Sequence, residues 1–309
     1  MSKKIVLIDG HSILNRAFFG IPDLTNAQGV HTNAVYGFLN ILFKILDEEQ
    51  PEYLTVAFDV HAPTFRHKMY AEYKGTRKPM AEELRQQVPL MKEMLSAMGI
   101  KTIEKEGYEA DDLLGTISKR AEREGFEVSV VSGDRDLLQL ASDHIKIRIP
   151  KTKRNGTEIE DYYAKDVLER YQVTPVQFID VKALMGDTAD NIPGVPGIGE
   201  KTATNLIVSY GSIENAHAHL EEIKPKRAKE NLEAHYDMAE MSKTLATIDI
   251  NAPVTYEFEE AKLGNLYTKE AYHMLKELEF KAILKRFDGE EQEDFEVKIK
   301  EIVDLAEAE

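Results

Sequence analysis

The chain predicts an α/β fold, a mostly parallel central sheet with flanking helices, followed by a helical C-terminal part. Three observations carry that expectation. Through the first half, short β-branched runs alternate with longer amphipathic stretches, as they do where strands are joined by helical crossovers. From about Ala164 the strand signals fade and short helical patterns take over. At 309 residues the chain can bury one large core or two smaller ones.

In chain order the expected strands are 4–8, 55–58, 101–104, 128–131 and 145–149, and the helical patterns between them are 34–47, 82–98, 111–124 and 135–141. Pro89 falls inside the second helical pattern and should start or kink that helix. The stretch 186–199 is a loop with two prolines and four glycines. After Phe287 comes Asp-Gly-Glu-Glu-Gln-Glu-Asp, a solvated linker, and 295–306 resumes apolar spacing as the first strand of a further domain would. The expected organisation is an α/β domain over 1–163, a helical region over 164–287, and an acidic linker with the start of a further domain over 288–309.

Composition excludes several chemistries. With no cysteine there is no disulfide, thiolate metal site or cysteine nucleophile. Ile5-Val-Leu-Ile8 meets Asp9 after four apolar residues, too few for a signal-peptide core, and no uncharged run reaches membrane-spanning length. The expected location is cytoplasmic, with no membrane partner. The net charge of −16 is concentrated: residues 288–309 hold ten acids and two lysines, and nine further acids belong to the cluster below, which leaves the remainder near +1. A local basic face is compatible with that balance.

Several strands end in acid. Ile5-Val-Leu-Ile8 runs into Asp9, Thr55-Val-Ala-Phe58 into Asp59, and 128–131 into Ser-Gly-Asp134-Arg135-Asp136. Glu109-Ala-Asp111-Asp112 precedes a helical pattern, and Asp187-Thr-Ala-Asp190 follows the apolar run around Leu184. Carboxyl ends of parallel strands lie side by side, where ligand sites of open α/β sheets form. Carboxylates crowded there repel one another, and an all-oxygen set selects a hard divalent ion such as Mg²⁺ or Mn²⁺. Two such ions stabilise the attacking and leaving oxygens of phosphodiester hydrolysis. The plainer reading makes each Asp a helix cap, but capping needs one carboxylate per helix.

Ile192-Pro-Gly-Val-Pro-Gly-Ile-Gly-Glu-Lys-Thr-Ala203 joins two helical segments through a tight turn. Gly197 and Gly199 allow close backbone approach to a phosphate, the next helix offers free N–H groups, and Lys201 adds charge. It is not a nucleotide P-loop, because Glu200 separates Gly199 from Lys201 and no strand precedes it. Its plainer reading is a helix–turn–helix link that needs glycine for geometry. The stretch 65–78 holds five Lys/Arg against one Glu, with aromatics such as Tyr73 available for base stacking. Two more basic stretches, 146–154 and 224–229, extend a backbone track or are ordinary surface. Ser12, Ser132 and the nine histidines form no nucleophile system.

The ordered set Leu7-Ile-Asp-Gly10, Ala57-Phe-Asp59, Thr64-Phe-Arg66, Tyr73-Lys-Gly75, Tyr108-Glu-Ala-Asp-Asp112, Ser132-Gly-Asp-Arg-Asp136 and 185–203 resembles the 5′-nuclease domains of bacterial DNA polymerase I, within the flap endonuclease family. The resemblance runs from about Lys4 to Phe287. It implies a PIN/flap-nuclease-like fold with a helical arch and a helix-three-turn-helix motif. By position it implies that Asp9, Asp59, Glu109 and Asp111 serve a first metal, that Asp134, Asp136 and Asp190 serve a second with Asp111 bridging, and that Asp112 and Asp187 are additional acids. It implies that Lys74 and Arg77 of the arch orient the scissile phosphate, with Arg66 a phosphate contact at its base. Gly194, Gly197, Gly199, Lys201 and Thr202 then hold the duplex backbone, with K⁺ often at the hairpin. Two departures stand out: Asn15 precedes Arg16 where relatives place an aromatic, and Ala189 stands where Ser is common.

The implied activity is a structure-specific 5′-3′ exonuclease and flap endonuclease using two Mg²⁺ ions, acting on 5′ flaps, nicks or single-strand/duplex junctions and on RNA–DNA primers, as a monomer. Polymerase domains would lie beyond residue 309. Competing expectations are a DNA-binding module that has lost catalysis, a phosphatase using Asp9, and a metal-dependent ribonuclease. All nine acids are present, against the first, and no second Asp stands two residues after Asp9, against the second.

Overall fold

The computed structural model describes residues 2–153 and 156–287. Among these, β1 (Lys4–Asp9), β2 (Tyr53–Ala57), β3 (Lys101–Ile103), β4 (Glu127–Val131), β5 (Ile145–Lys153) and β6 (Gly156–Tyr162) form one sheet in the order β3-β2-β1-β4-β5-β6. The first five run parallel, and β6 folds back antiparallel to β5 at the edge. That edge strand was not expected from the sequence. In β1, Ile5 and Leu7 face one way and Val6 and Ile8 the other, and all four are buried, as a doubly covered sheet demands.

Helices α1 (Gly10–Gly20), α2 (Asn33–Glu49), α3 (Phe65–Met69), α4 (Glu82–Ala97) and α5 (Ala110–Arg123) follow in order, with a 3₁₀ turn at Arg135–Leu140 where a helix was expected. Val6 and Ile8 pack with Phe38, Leu42 and Met94, while Ile5 and Leu7 pack with Leu113, Ile117 and Leu138. α4 runs unbroken through Pro89, contrary to a start there. Pro89 lies on the exposed side, where water can take the carbonyl its missing N–H leaves free.

The helical part comprises α6 (Ala164–Tyr171), α7 (Pro175–Met185), α8 (Glu200–Tyr210), α9 (Ile213–Ala218), α10 (Lys226–Ala234) and α11 (Tyr236–Ala246), then α12 (Lys269–Glu277) and α13 (Lys281–Leu284). Val181, Leu184, Leu206, Ile207 and Ile213 form its own core. The expected region 164–287 is not one packing unit, however. Ile248, Tyr256 and Phe258 join the core under α5, and Leu275, Phe280 and Phe287 join the core under α2, so the chain returns to strap both faces of the sheet. The expected linker 288–309 and strand 295–306 lie outside the described residues. No helix among the described residues is long and apolar enough to cross a membrane.

Candidate active site

Strand order reverses at β1, with β2 and β3 on one side and β4 and β5 on the other. At such a switch point the connecting loops part and leave a crevice at the carboxyl ends of the strands. Asp9 pairs with Ala57 in register and Ile8 with Val131, so the acids after β1, β2 and β4 emerge along one line. They open into a cleft of about 2420 Å³ whose lining includes Asp9, Asp59, Glu109, Asp111, Asp134, Asp136 and Asp187, with Lys74, Arg77, Gly199 and Lys201 across from or beside them.

The strand-end acids are caps and cluster members at once. Asp9 accepts from Ser12 N at 3.0 Å, opening α1, and its other oxygen accepts from Ser132 Oγ at 2.8 Å. Asp59 accepts from Ala110 N at 2.7 Å at the start of α5, and Asp134 from Asp136 N at 2.8 Å. Capping occupies one oxygen and leaves charge for the cleft. Burial and the Asp59 carboxylate push Asp9 up to about 7. Burial and Asp134 push Asp136 up to about 7, although Lys182 opposes the shift. Burial and Asp9 hold Asp111 well above the usual carboxylate range.

The positive charges are unevenly placed. Lys74 Nζ lies 2.8 Å from Glu109 and 3.9 Å from Asp190, Arg77 pairs with Asp190, and Lys182 pairs with both Asp136 and Asp187. Among the described residues Asp9, Asp111 and Asp134 form no ion pair with Lys or Arg. An oxygen-only donor set at least half-buried and left without a cation partner fits a hard divalent cation. No three of these side chains stand together as a complete ligand set among the described residues. Mg²⁺ does not require one, since it binds through one or two carboxylates and fills its other positions with water and substrate oxygens.

Several expected roles need correction. Arg66 is 2% exposed; it forms a two-pronged pair with Asp112 at 2.8 Å on each arm and donates to Leu245 O and Thr247 O. It is a strut tying the base of the arch to the returning strap, with no face free for phosphate. Asp112 is fully buried and also accepts from Asp249 N and Glu109 N, so its oxygens are spent and it is not a metal ligand. Tyr73 is 3% exposed, and its hydroxyl donates to Glu109 and lies 3.2 Å from Asp190, which rules out stacking on a base. The segment that carries Lys74 and Arg77 is a series of turns between α3 and α4, not a helix, and Lys74 has φ +56°. Asp190 is buried under Tyr73, Lys74 and Arg77 and reaches a cation only if they release it.

In the hairpin the glycines divide. Gly194 is buried with φ +63°, and a Cβ there would lie 2.3 Å from Gly186 N, so it serves the turn and cannot touch DNA. Gly197 is exposed at φ +76°, backed by Asn231 and Arg227. Gly199 has open space around it and caps α8, next to exposed Lys201, while Thr202 is half-buried one residue on. The basic stretch 224–229 borders this turn, whereas half-buried Lys146 and buried Arg148 of the other stretch are held in ion pairs with Glu49 and Asp161 and do not extend a DNA track. Lys182 and Arg16 are among the cleft residues given no role from the sequence. Lys182 was legible as a lone lysine inside an apolar helical run. Arg16 lines the cleft beside Gly133, with its Nε buried and unpartnered.

The carboxyl edge of the sheet thus sets a carboxylate cluster against a lysine-bearing segment and a glycine hairpin in one cleft. Residues 4–172 match the 5′-3′ exonuclease N-terminal resolvase-like domain and residues 173–270 the 5′-3′ exonuclease C-terminal SAM fold. The chain belongs to the 5′-3′ exonuclease family. It is 49% identical over 294 residues to DNA polymerase I of Bacillus caldotenax, covering 95% of this chain and 33% of that protein. With DNA polymerase I of Bacillus subtilis strain 168 it shares 44% over 309 residues, 98% of this chain and 35% of that one. The chain thus spans about a third of the length of these curated relatives. Among solved structures, bacteriophage T5 5′-exonuclease with bound zinc gives a TM-score of 0.66 at 24% identity, covering 80% of this chain and 90% of that one. The T5 flap endonuclease in a pseudo-enzyme–product complex with DNA and metal ions gives 0.66 at 23%, covering 90% and 100%. Those two likenesses speak to fold.

Proposed function

We propose that this chain is a structure-specific 5′-3′ exonuclease and flap endonuclease that hydrolyses DNA phosphodiesters with two divalent ions, Mg²⁺ in the first place and Mn²⁺ as a substitute. The observation that carries the reading is the trio of buried Asp9 and half-buried Asp111 and Asp134, without a Lys or Arg partner among the described residues, in the same cleft as Lys74 and the open start of α8. These acids, with Asp59, Asp136 and Asp187 beside them, would hold the ions. When bound, the ions supply charge stabilisation for the attacking and leaving oxygens.

The chain's own groups do the rest. The first N–H groups of α8 and Lys201 hold a duplex phosphate independently of sequence. Lys74 and Arg77, resting on Glu109 and Asp190, stand ready to exchange a carboxylate for a phosphate oxygen and so orient the scissile group. The substrate class is DNA with 5′ flaps, nicks or single-strand/duplex junctions, RNA–DNA primers included. The setting is primer removal and repair, by a monomer in the cytoplasm at the nucleoid, within a DNA polymerase I-type protein, with K⁺ at the hairpin.

Cleavage of a 5′-labelled flap duplex tests this, beside single-stranded DNA and RNA controls. Mg²⁺-dependent cutting near the junction, abolished by EDTA and restored by Mg²⁺ or Mn²⁺, is the expected result. Tight flap binding without cleavage at saturating Mg²⁺ would leave a DNA-binding module in its place.

A further inference from the structure

Lys182 sits near the end of α7 in the run Val-Lys-Ala-Leu and is only 7% exposed. Burying an ammonium among apolar neighbours is unfavourable unless it is paired. This one is paired twice, donating to Asp136 Oδ1 and to Asp187 Oδ2, so it bridges the acid after β4 with the acid after its own helix. The cluster therefore has two halves of different character. Asp9, Asp111 and Asp134 have hydroxyl and backbone partners or none, and no Lys or Arg paired with them among the described residues. Asp136 and Asp187 already hold a cation.

We propose that Lys182 is the resident cation of the outer half, its ammonium lying where a second divalent ion would bind between Asp136 and Asp187, so that this ion enters only as the ammonium moves aside. The inference rests on the two-ion reading above. Before any metal arrives, the ammonium keeps the outer acids together and α7 docked against the segment 134–136. Its flexible four-carbon stem allows the withdrawal that a guanidinium locked in a fork, such as Arg66 on Asp112, does not. A consequence follows for the order of loading. The inner trio takes the first ion, and the outer half binds the second more weakly, because a unit positive charge within a few ångström opposes it. A purely structural Lys182 would stabilise the fold without influencing ion affinity.

Mn²⁺ titration of the metal-free protein, by calorimetry with free ion counted by electron paramagnetic resonance, separates these cases. The wild type should show one tight and one weak class of site. Lys182→Met should tighten the weak class by about tenfold or more and leave the tight class unchanged, while Lys182→Arg, which keeps the charge, should leave the weak class weak. A weak class that stays put or weakens in Lys182→Met overturns the proposal. Should Lys182→Met not fold, side-chain NMR of isotope-labelled lysine in the wild type, assigned with Lys182→Arg, gives the answer instead. The Lys182 signal should move with the second equivalent of Mg²⁺; movement with the first, or none, overturns it. A wild type that binds no divalent ion at all removes the two-ion reading itself, an outcome distinct from two classes that ignore Lys182.

Discussion

Two networks of charged side chains lie in this protein, and they are built on opposite plans. Where α2 ends against β5 and β6, Glu48, Glu49 and Asp161 surround Lys146 and Arg148, with contacts of 2.6 to 2.8 Å from Arg148 to all three acids. Although burial acts against its charge, Lys146 and Arg148 hold Glu49 below the usual carboxylate range. At the crevice between β1 and β4, by contrast, Asp9 and Asp111 have no Lys or Arg partner among the described residues, and both are pushed up, Asp9 to about 7. The direction of the shift separates the two. A matched network favours the ionised form and holds structure together, while an unmatched one stores repulsion that a bound cation relieves.

Breaking each network should therefore do different things. The largest effect is expected for Asp134→Ala, which should slow flap cleavage by about 10³-fold or more with DNA affinity near wild type, since it removes charge support of the transition state rather than ground-state contacts. Glu49→Ala should leave the rate intact where the protein is folded, but lower stability by about 1–3 kcal/mol by taking one of three acids from Arg148 and the nearer of two from Lys146. Single-turnover rates beside denaturant titrations read both. The contrast collapses if Asp134→Ala cuts normally, or if Glu49→Ala loses rate at unchanged stability.

Next in size is Lys74→Ala, expected to depress the single-turnover rate about 10²-fold with a smaller loss of binding, because charge builds on the phosphoryl oxygens as the bond breaks. An ordinary backbone contact would instead make the salt dependence shallower by about one ion and leave the chemical step alone. Measuring the rate at saturating enzyme and two salt concentrations distinguishes them.

Stored repulsion also has a signature in stability. Asp9 is raised in the folded state from a model-compound value of 3.8 to about 7, so the native protein keeps a proton that the unfolded chain has released. Stability of the metal-free protein then falls as pH rises between about 4 and 7 on account of this group. Asp9→Asn keeps the Ser12 cap, removes the charge, and should raise the melting temperature in EDTA at pH 8, with the gain vanishing near pH 4. Mg²⁺ should raise the melting temperature of the wild type more than that of the variant. An Asp9→Asn protein no more stable than wild type at pH 8 in EDTA would mean that the acids do not strain the fold.

The contrast also marks what was legible in the sequence. Parallel strands that end in acid could be read because apolar runs and their terminal Asp are adjacent in the chain. β6 escaped because an edge strand carrying Glu158, Glu160 and Asp161 lacks an apolar run. The strut between Arg66 and Asp112, 46 residues apart, exists only in the fold, so two residues read as site groups became scaffold. The same holds for Tyr73, whose ring looked available until Glu109 and Asp190 closed over its hydroxyl. The return of 248–287 to the sheet was hidden because apolar positions in a short helix do not say which core receives them.

The hairpin repeats the comparison on a smaller scale, since its glycines also divide into scaffold and site. Gly194 is left-handed and packs on Gly186, so Gly194→Ala forces a Cβ against backbone and should destabilise the protein whether or not DNA is present. Gly199 has φ −91° and ψ 176°, ordinary extended values, with nothing within 4 Å of where a Cβ would stand. Gly199→Val should therefore fold, with a melting temperature lowered only by the small cost of a poorer N-cap, and a larger defect must arise when something approaches α8. If that is a duplex phosphate seated on the first N–H groups, the isopropyl group holds it off. KM should then rise by about three- to tenfold, with kcat little changed and the loss similar across DNA sequences, because a backbone contact carries no base information. Equal duplex affinity in wild type and Gly199→Val would make this glycine a helix cap and nothing more. A loss confined to particular sequences would point to base contacts that an exposed helix start beside Lys201 does not provide.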